Sequence, residues 1–481
     1  YKNLWDIAEK LEDLPRQTGV HACGVVITPT PIYNLAPLYR AAAEDTPVVM
    51  YDKHYAEDIG LLKMDFLGLI NLSIIQDTVR MIDKNRNIKL DMSKIPLDDK
   101  TTFDLLSKGM TTTVFQFESP GMQKYLRELK PSRIGDLIAM NALYRPGPLE
   151  QIPRFIRCKL GQEEINCYHP DLESVLMETY GVIVYQEQVM KLAQILGGYS
   201  LGGADNIRRI MAKKMPEKMA KLEPEFFEKC LAKGYDRAMI QKVWDAVLPF
   251  CGYAFNKSHA AAYAYVAYQT AYLKANYGPE YMAASMTSKM GKTEDIVTII
   301  LECKRMDIKV VSPNINESMS DFVADPKGRI LFGLTGIRNV GIGIVEDIVA
   351  ERNRNGKYKT LFEFCKRLAE YQGQFKGSER HAPLSKKVLE CLIMAGALDE
   401  LPGNRAVLMA SVDRALEVAS HAQADKEMGQ VSLFDLGGPA VISNTAEVLE
   451  EAEEWTCMEM LNKEREVLGM FLSGHPLDEF R

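Results

Sequence analysis

Residues 256–277 read NKSHAAAYAYVAYQTAYLKANY, and this stretch does most to decide the fold class. Ser258 has a typical N-cap side chain, so the pattern predicts a long helix from Ala260 to Tyr277. Gly278-Pro279 follows directly and is expected to end that helix. The helix also carries tyrosines at helical spacing, which predict a face that packs in the core: Tyr265, Tyr268 and Tyr272.

Outward from this helix, the pattern from about Leu72 to Glu302 is mostly helical, with short connections. Strongly strand-like sequence is confined to the first part of the chain. There, residues 1–14 predict the end of a helix, and three strands are expected after it: Val25–Ile27, Val48–Tyr51 and Leu61–Phe66. We therefore predict a mainly α protein with a small mixed β remnant, an α+β fold.

The sequence changes character after residue 302. Ile308–Val311 and Ile330–Phe332 predict short strands, and the segment Gly336–Gly343 leads into an amphipathic helix that reaches Arg352. Residues 418–454 are rich in Ala, Glu, Gly and polar residues, a composition typical of flexible segments. Glu464–Phe471 predicts a last helix.

The bulk composition is that of a well-packed soluble protein, with 481 residues, 47% apolar and 26% charged. This length predicts about two to four domains. No apolar run is long enough to cross a bilayer, and the nine scattered cysteines favour reduced thiols in a cytoplasmic protein. The net charge of −7 does not exclude nucleic-acid binding, because the placement of charge matters more than its sum. The absence of an initiator Met suggests a piece of a longer polypeptide.

A lone carboxylate, Asp65, stands among apolar residues directly after Lys63 and Met64. Carboxylate oxygens are the ligands that Mg²⁺ prefers. Burial of this acid among apolar neighbours would need a compensating cation. The alternative is an acid at the end of a strand that pairs with Lys63, and the spacing alone favours that alternative.

A glycine-rich turn, Gly197–Gly203, precedes a helix that carries four cations, which predict a phosphate-binding surface: Arg208, Arg209, Lys213 and Lys214. The alternative is a solvated basic face. No Gly-Lys-Ser/Thr sequence follows at the spacing of a Walker loop.

The residues at the start of the long helix form a second candidate anion site: Asn256, Lys257, Ser258 and His259. Free backbone N–H groups and the helix dipole favour an anion there, and these side chains add one charge and further donors. Tyr263 lies one turn further along and is a candidate contact for a base or sugar. The alternative is ordinary helix capping.

Two motifs in the second half of the chain predict macromolecular contacts. Gly336–Gly343 matches a helix-hairpin-helix hairpin, in which glycines let the backbone approach a phosphodiester. The alternative is a tight turn between helices. Gln430–Phe434 reads Gln-x-x-Leu-Phe, which has the form of a short docking peptide.

Together these segments resemble the alpha subunits of bacterial replicative DNA polymerase III, the family C polymerases. The resemblance covers essentially the whole chain and depends on an ordered series of stretches: Gly19–Ile27, Leu62–Leu69, Val114–Ser119, Tyr144–Pro148, Val184–Met190, Gly202–Lys214 and Gly252–Tyr263.

The resemblance implies the role of each candidate residue. Asp65 is implied to be the third of three catalytic palm carboxylates at a two-Mg²⁺ site, with Lys63 beside it and the His21–Gly24 loop nearby. The implied contacts to the deoxynucleoside triphosphate are Arg145, Arg208, Arg209, Lys213, Lys214, Asn256, Lys257, Ser258 and His259, together with His21 and Gly24. The implied contacts to primer–template DNA are Gly336, Arg338, Gly341 and Gly343, and those to the sliding clamp are Gln430, Leu433 and Phe434. Other replicase subunits are further implied partners.

The same resemblance predicts six segments. These are the end of a thumb helix (1–14), part of a palm (15–72), fingers (73–302), a helix-hairpin-helix and clamp-binding domain (303–417), a linker with the clamp peptide (418–454), and a helix leading to an OB domain (455–481). The other two palm aspartates are expected before residue 1, so we expect the fragment alone to be inactive.

Two other functions are compatible with the sequence. The first alternative is a non-catalytic DNA-binding adaptor that grips duplex through its hairpin and docks a sliding clamp. A weaker one is a metabolic phosphotransferase, against which the absence of a complete small-molecule phosphate loop counts.

Overall fold

The computed structural model describes residues 1–12, 14, 19–21, 23–40, 46–212, 216–248, 255–375, 383–427 and 447–478. The chain divides into two compact units, Tyr1–Ile70 and Asn71–Arg481. Most of the regular structure is helical and the sheets are small, so the predicted fold class of mainly α with a small β part is confirmed.

The first unit contains two small two-stranded sheets and short helices. Its elements are α1 (Lys2–Leu11), β1 (Gly24–Ile27), β2 (Leu38–Tyr39), β3 (Val48–Val49), α2 (Lys53–Asp58) and β4 (Leu62–Asp65). Strand β1 pairs antiparallel with β4, and β2 pairs antiparallel with β3. Strands β3 and β4 are shorter than predicted, because Met50, Tyr51, Leu61 and Phe66 lie outside the ladders, whereas β1 begins one residue earlier, at Gly24. Among the residues of this unit that the structure describes, Ala36, Ala56 and Leu61 form the buried centre.

The second unit begins with a long series of helices. They are α3 (Ile70–Arg86), α4 (Lys100–Ser107), α5 (Pro120–Leu129), α6 (Ile134–Leu143), α7 (Ile152–Lys159), α8 (Glu173–Leu176), α9 (Gln186–Gly197), α10 (Leu201–Ala212), α11 (Pro216–Ala232), α12 (Arg237–Val247), α13 (Lys257–Asn276), α14 (Gly278–Thr287) and α15 (Thr293–Arg305). Short 3₁₀ turns connect several of them. The helical prediction for this region is therefore confirmed.

Helix α13 begins earlier than predicted, and its N-cap is Asn256 rather than Ser258. The Asn256 side-chain oxygen accepts a hydrogen bond from the backbone N–H of His259 at 2.8 Å. Ser258 therefore lies inside the first turn. Gly278 and Pro279 do not simply end α13; they form the first positions of α14, where Pro lacks only an N–H that would have no helical partner.

Alanines along one face of α13 let this helix approach its neighbours closely. Ala260, Ala264, Ala267 and Ala271 are fully buried and recur at spacings of four and three residues. This face packs against α6 and α4. Tyr268 lies among them with no exposed surface, and its hydroxyl donates a hydrogen bond to the Pro96 carbonyl at 2.6 Å.

The last part of the second unit combines a small sheet with further helices. Its elements are β5 (Val310–Val311), β6 (Val323–Ala324), β7 (Ile330–Leu331), α16 (Ile342–Asn355), α17 (Leu361–Gly373), α18 (Lys386–Met394), α19 (Arg405–Ala410), α20 (Val412–Glu427) and α21 (Cys457–Leu468). Strand β7 is central, parallel to β5 and antiparallel to β6.

Two predictions for this region need correction. Residues 418–427 belong to α20 and are not a flexible linker, because Ala415 and Ala419 are buried where α20 packs against α17. The last helix ends at Leu468 rather than Phe471, since Gly469 takes a left-handed conformation with φ of +77° that closes it.

In the described part of the chain, none of the helices combines the length and apolar character that crossing a membrane requires.

One ion pair is fully enclosed in the second unit. Lys274 on α13 donates to Glu302 on α15 at 2.6 Å and to the Thr112 carbonyl at 2.7 Å, with 0% and 2% of the two charged side chains exposed. Arg305 also donates to Glu302 at 2.8 Å. Burial is the largest influence on Lys274 and lowers the pKa of its ammonium to about 8.

We predict that Lys274→Met destabilises the protein by about 3–5 kcal/mol, because it removes a buried partner of Glu302. The double variant Lys274→Met, Glu302→Met should recover much of that loss in thermal unfolding. Lys124→Met is the control, since Lys124 lies 4.0 Å from Glu128 at the surface and should change stability by less than about 1 kcal/mol. A double variant as unstable as the single one would contradict the prediction.

The same pair predicts a pH dependence. Because the folded pKa of Lys274 is about 8 and its ordinary value is 10.5, the unfolded chain binds more protons between these values. The contribution of Lys274 to the free energy of unfolding should therefore rise from pH 8 towards pH 10.5. The free energy of unfolding of the wild type minus that of Lys274→Met, measured by calorimetry across this pH range, should therefore increase with pH. A decrease would contradict the prediction.

Candidate functional site

In the first unit, strand pairing brings together the residues predicted around the lone acid. Gly24 on β1 is the register partner of Asp65 on β4. Lys63 donates a hydrogen bond to the Asp65 carboxylate, and His21 Nδ1 lies 3.8 Å from the same oxygen. A Cβ atom on residue 24 would lie 2.8 Å from Lys63 Cε and 3.0 Å from His21 Nδ1, so a side chain at this position would displace Lys63 and His21 from this arrangement.

Asp65 is not buried, contrary to the expectation of an acid enclosed by apolar residues. Half of its side chain (52%) is exposed, and Phe66 and Leu67 beside it are exposed too. The hydrogen bond from Lys63 is the main reason why the pKa of the Asp65 carboxyl lies below its usual value. The pairing with Lys63, which the sequence left open as an alternative, is therefore present.

A metal ion would need more donors than this cluster provides. Among the described residues, no group of three or more His, Cys, Asp or Glu side chains could hold a metal. Asp65 supplies one carboxylate, and Mg²⁺ in proteins is usually held by one or two carboxylates together with substrate phosphates. The described residues of this chain do not by themselves fit a two-metal site.

In the second unit, Arg208 and Arg209 share one carboxylate on their own helix. Asp205 Oδ1 accepts from Arg208 Nε, and Oδ2 accepts from Arg209 Nε, both at 2.8 Å. The Arg208 hydrogen bond is the main reason why the pKa of Asp205 is lowered. Gly202 and Gly203 lie in the first turn of α10 rather than in a preceding loop, while Gly198 closes α9 in a left-handed conformation.

Two backbone donors at the start of α13, the N–H groups of Lys257 and His259, already have partners, which corrects the expectation of a fully open anion site. Glu187 on α9 accepts from the Lys257 N–H and from Asn256 Nδ2, each at 2.9 Å. Asn256 itself occupies the His259 N–H. The Lys257 ammonium contacts both oxygens of Glu178 at 2.7 and 2.9 Å. Carboxylates of this chain therefore already lie where an anion was predicted.

The two cationic regions of this unit are neighbours. Gln186 Oε1 accepts from Arg208 Nη1 at 3.3 Å, and the Gln186 N–H donates to the Phe255 carbonyl at 3.0 Å. Glu187, the next residue, contacts the start of α13. One turn of α9 therefore joins Arg208 to the amino end of α13.

Arg145 contacts this region through aromatic rings. Its guanidinium carbon lies 3.5 Å from the centroid of Phe255, and no carboxylate among the described residues pairs with it. The rings continue along α13, with Phe255 and His259 centroids 5.2 Å apart and His259 and Tyr263 centroids 4.3 Å apart. Tyr263 in turn lies 5.3 Å from Phe115. This partly exposed row of rings is the kind of surface on which bases stack.

The predicted hairpin divides into structural and exposed positions. A Cβ atom on Gly336 would lie 2.8 Å from Phe332, so this glycine is needed for packing. Arg338 donates from its backbone to the Val467 carbonyl at 2.9 Å and from its side chain to the Glu466 carbonyl at 3.1 Å, so it caps the end of α21. Gly341 is exposed and is the N-cap of α16, where no side chain occupies the first N–H groups; Gly343 lies in the first turn.

Some predicted site residues cannot be assigned a structure. Lys213 and Lys214, and the docking residues Gln430, Leu433 and Phe434, lie outside the described residues.

Sequence reasoning missed the acidic and amide partners of the cations, Glu178, Gln186, Glu187 and Asp205. Asp205 lies three and four positions before its two arginines, a spacing that predicts helical ion pairs and could have identified it. Glu178 and Glu187 lie 79 and 70 positions from Lys257, and no local pattern connects residues so far apart.

Comparison with known families matches three parts of the chain. Residues 71–234 match the bacterial DNA polymerase III alpha subunit finger domain, and residues 1–68 match the bacterial DNA polymerase III alpha NTPase domain. Residues 307–408 match a helix-hairpin-helix motif, in agreement with the hairpin predicted at Gly336–Gly343.

Curated relatives align with the whole chain. The DNA polymerase III subunit alpha of Xylella fastidiosa (strain 9a5c) is 43% identical over 489 residues, and that of Escherichia coli (strain K12) is 43% identical over 495. The subunit of Borreliella burgdorferi is 41% identical over 481 residues. These alignments cover all of this chain and 40–41% of the relatives, so the chain spans about two fifths of their length. The chain belongs to the family of bacterial DNA polymerase III alpha subunits.

Proposed function

We propose that this chain forms the fingers and part of the palm of a replicative DNA-directed DNA polymerase, a nucleotidyltransferase of the bacterial cytoplasm. In the intact protein, the primer 3′-hydroxyl attacks the α-phosphorus of a template-matched deoxynucleoside triphosphate. The bond to the bridging oxygen breaks and pyrophosphate leaves. The proposal is supported by the cationic surface that α9 joins together, formed by Arg208, Arg209 and the amino end of α13.

This surface has the chemistry to bind and orient a triphosphate. Asp205 accepts from the Nε atoms of Arg208 and Arg209, and within the described part of the chain no hydrogen bond occupies the other guanidinium donors of Arg209, which can therefore contact a ligand. Lys257 is held by Glu178 in a half-exposed ion pair of small net stability, which a more highly charged phosphate can displace. The donors of Arg209 and Lys257 would stabilise charge on a leaving pyrophosphate. We assign Lys213 and Lys214 to the same role.

The aromatic row on α13 is proposed to contact the base and sugar of the nucleotide. His259 and Tyr263 present partly exposed rings, and the Arg145 guanidinium lies over the ring of Phe255. Stacking of this kind tolerates every base because all bases have a π-face. Ser258, exposed in the first turn of α13, is proposed as a further donor.

Asp65 is proposed as one ligand of a divalent metal, and the resemblance points to two Mg²⁺ ions. Its ionised, half-exposed carboxylate suits a hard cation. Because the described residues offer no group of three or more possible ligands around it, we assign no step to a metal. Lys63, His21 and Gly24 are proposed to shape the surroundings of this carboxylate.

The hairpin that ends in Gly341 is proposed to hold primer–template DNA through backbone N–H groups, with Gly343 allowing close approach and Gly336 and Arg338 supporting the turn. Gln430, Leu433 and Phe434 are proposed to dock a sliding clamp, and other replicase subunits are proposed partners.

We predict that Arg208→Ala and Arg209→Ala, made in the intact protein, each raise the KM for deoxynucleoside triphosphates about 10- to 100-fold, because a hydrogen bond to a charged group contributes about 1.5–3 kcal/mol. Duplex affinity should barely change. Arg157→Ala is the matched control, since Arg157 is a half-exposed arginine paired with Glu163. Steady-state kinetics and a fluorescence-anisotropy titration of duplex measure the two quantities.

The adaptor alternative predicts the opposite result for these variants. Under it, duplex binding weakens and its salt slope falls by about one per lost phosphate contact, with no effect on nucleotide affinity.

A second prediction concerns the hairpin. Ile342 is 63% exposed at the first position of α16, where an acidic residue is tolerated by the helix dipole. In the intact protein, Ile342→Glu should therefore fold but weaken duplex binding about tenfold through repulsion of the phosphates. Ile342→Gln has the same size without the charge and should bind duplex like the wild type. Equal affinities of the Glu and Gln variants would refute the assignment of DNA to this hairpin.

A further inference from the structure

Glu187 is a glutamate at the start of α9 that no sequence pattern connects to the cationic surface, yet both of its carboxylate oxygens contact the start of α13. One oxygen accepts from the Lys257 backbone N–H and the other from Asn256 Nδ2, each at 2.9 Å. The Lys257 N–H is among the helix donors that have no intrahelical partner, and a carboxylate there is further favoured by the helix dipole.

The hydrogen bond between Glu187 and Asn256 orients the first turn of α13 as well as the Asn256 side chain. Because the Asn256 amide nitrogen donates to Glu187, its oxygen is turned towards the His259 N–H, which it caps at 2.8 Å. Glu187 therefore determines which way this amide faces, and through it the start of the turn that carries His259. The hydrogen bond from the Lys257 backbone N–H to Glu187 fixes the backbone of Lys257 directly.

Neighbouring backbone contacts join the same two segments. Tyr185 and Phe255 form a parallel bridge, in which the Gln186 N–H donates to the Phe255 carbonyl at 3.0 Å. The Gln186 side chain accepts from Arg208 at 3.3 Å. Two consecutive residues of α9 thus contact the two cationic elements: Gln186 contacts Arg208 on α10, and Glu187 contacts the start of α13.

Glu178 differs from Glu187 in kind. Its carboxylate contacts the Lys257 ammonium, and both members of that pair are about two fifths exposed. Such a pair orders a side chain weakly. Glu187 instead contacts backbone and a capping side chain, and those groups define where α13 begins.

We propose that Glu187 is a positioning residue of the nucleotide-binding surface, which sets Lys257 and His259 relative to Arg208 so that one polyphosphate can contact all three. This inference rests on the proposed function, because it takes the cationic surface to be the triphosphate site. Glu187 itself does not touch the nucleotide; it acts through Asn256 and the backbone of α13.

The experiment uses the intact polymerase with Glu187→Ala, Glu187→Gln and the control Glu163→Ala. Glu163 is a partly exposed glutamate paired with Arg154 and Arg157 and lies outside the cationic surface. For each variant, the affinity for inorganic tripolyphosphate is measured by titration calorimetry, and KM and kcat are measured for nucleotide incorporation. Thermal unfolding shows whether each variant is folded.

Glu187→Ala should weaken tripolyphosphate binding and raise KM about tenfold or more, with a smaller change in kcat. Glu187→Gln keeps the length and one acceptor, so its effect should be intermediate. Because it retains the packing of the side chain, it tests the proposal even if the alanine variant unfolds. Glu163→Ala should match the wild type in all three quantities.

A double-mutant cycle separates positioning from general stability. If Glu187 acts by setting the distance to Arg208, Glu187→Gln should have a smaller effect on KM in an Arg208→Ala background than in the wild type. Additive effects would instead mean that Glu187 acts independently of the arginine, and would overturn the proposal.

Two further results would overturn it in different ways. Tighter or unchanged tripolyphosphate binding by Glu187→Gln would mean that the carboxylate competes with phosphate or has no role, while the proposed function survives. A wild-type protein that neither binds tripolyphosphate nor incorporates nucleotides would refute the proposed function, and Glu187 would then have no ligand to position.

Discussion

The burial of one alanine face on α13 is the constraint on which the second unit depends. Ala260, Ala264, Ala267 and Ala271 have no exposed surface, and their small side chains bring α13 close to α6 and α4. Protein interiors are packed as densely as crystals and tolerate little change in volume. The close packing of α13 against α6 and α4 therefore allows this helix only one position relative to them. At the far end of the same helix, the buried pair of Lys274 and Glu302 joins α13 to α15. The amino end of α13 is thereby placed by the core.

The cations that α13 and α10 present are not isolated charges. Asp205 holds the two arginines of α10, while Glu178 and Glu187 hold the start of α13. A chain with a net charge of −7 can in this way keep several cations at one surface. The acidic partners restrict the side chains before any ligand arrives, so less conformational entropy is lost when a phosphate binds. A pre-ordered surface of this kind is well suited to the nucleotide-binding role proposed for it.

Much of the architecture could be predicted because it is encoded locally. Helical periodicity predicted the long helical region, and short apolar stretches predicted β1, β3, β4, β5 and β7 but not the two-residue strands β2 and β6. Boundaries were less accurate, as the N-cap of α13 shows. Asn256 and Ser258 are both good capping residues, and the choice between them depends on Glu187, which holds the Asn256 side chain from another helix. The error at 418–427 has a similar origin, because a polar sequence becomes helical when α17 covers its alanines.

The sequence by itself determined the fold class, the family resemblance and which residues carry positive charge near the ends of helices, because these depend on residue type and short spacings. Only the tertiary structure decided which charges meet. It paired Lys63 with Asp65 in an exposed position and brought Glu178 and Glu187 to Lys257 across 79 and 70 residues of chain. Arg338 became a helix cap rather than a free cation in the same way. Contacts between distant residues arise from the burial of apolar faces, and the local sequence of a charged residue does not contain that information.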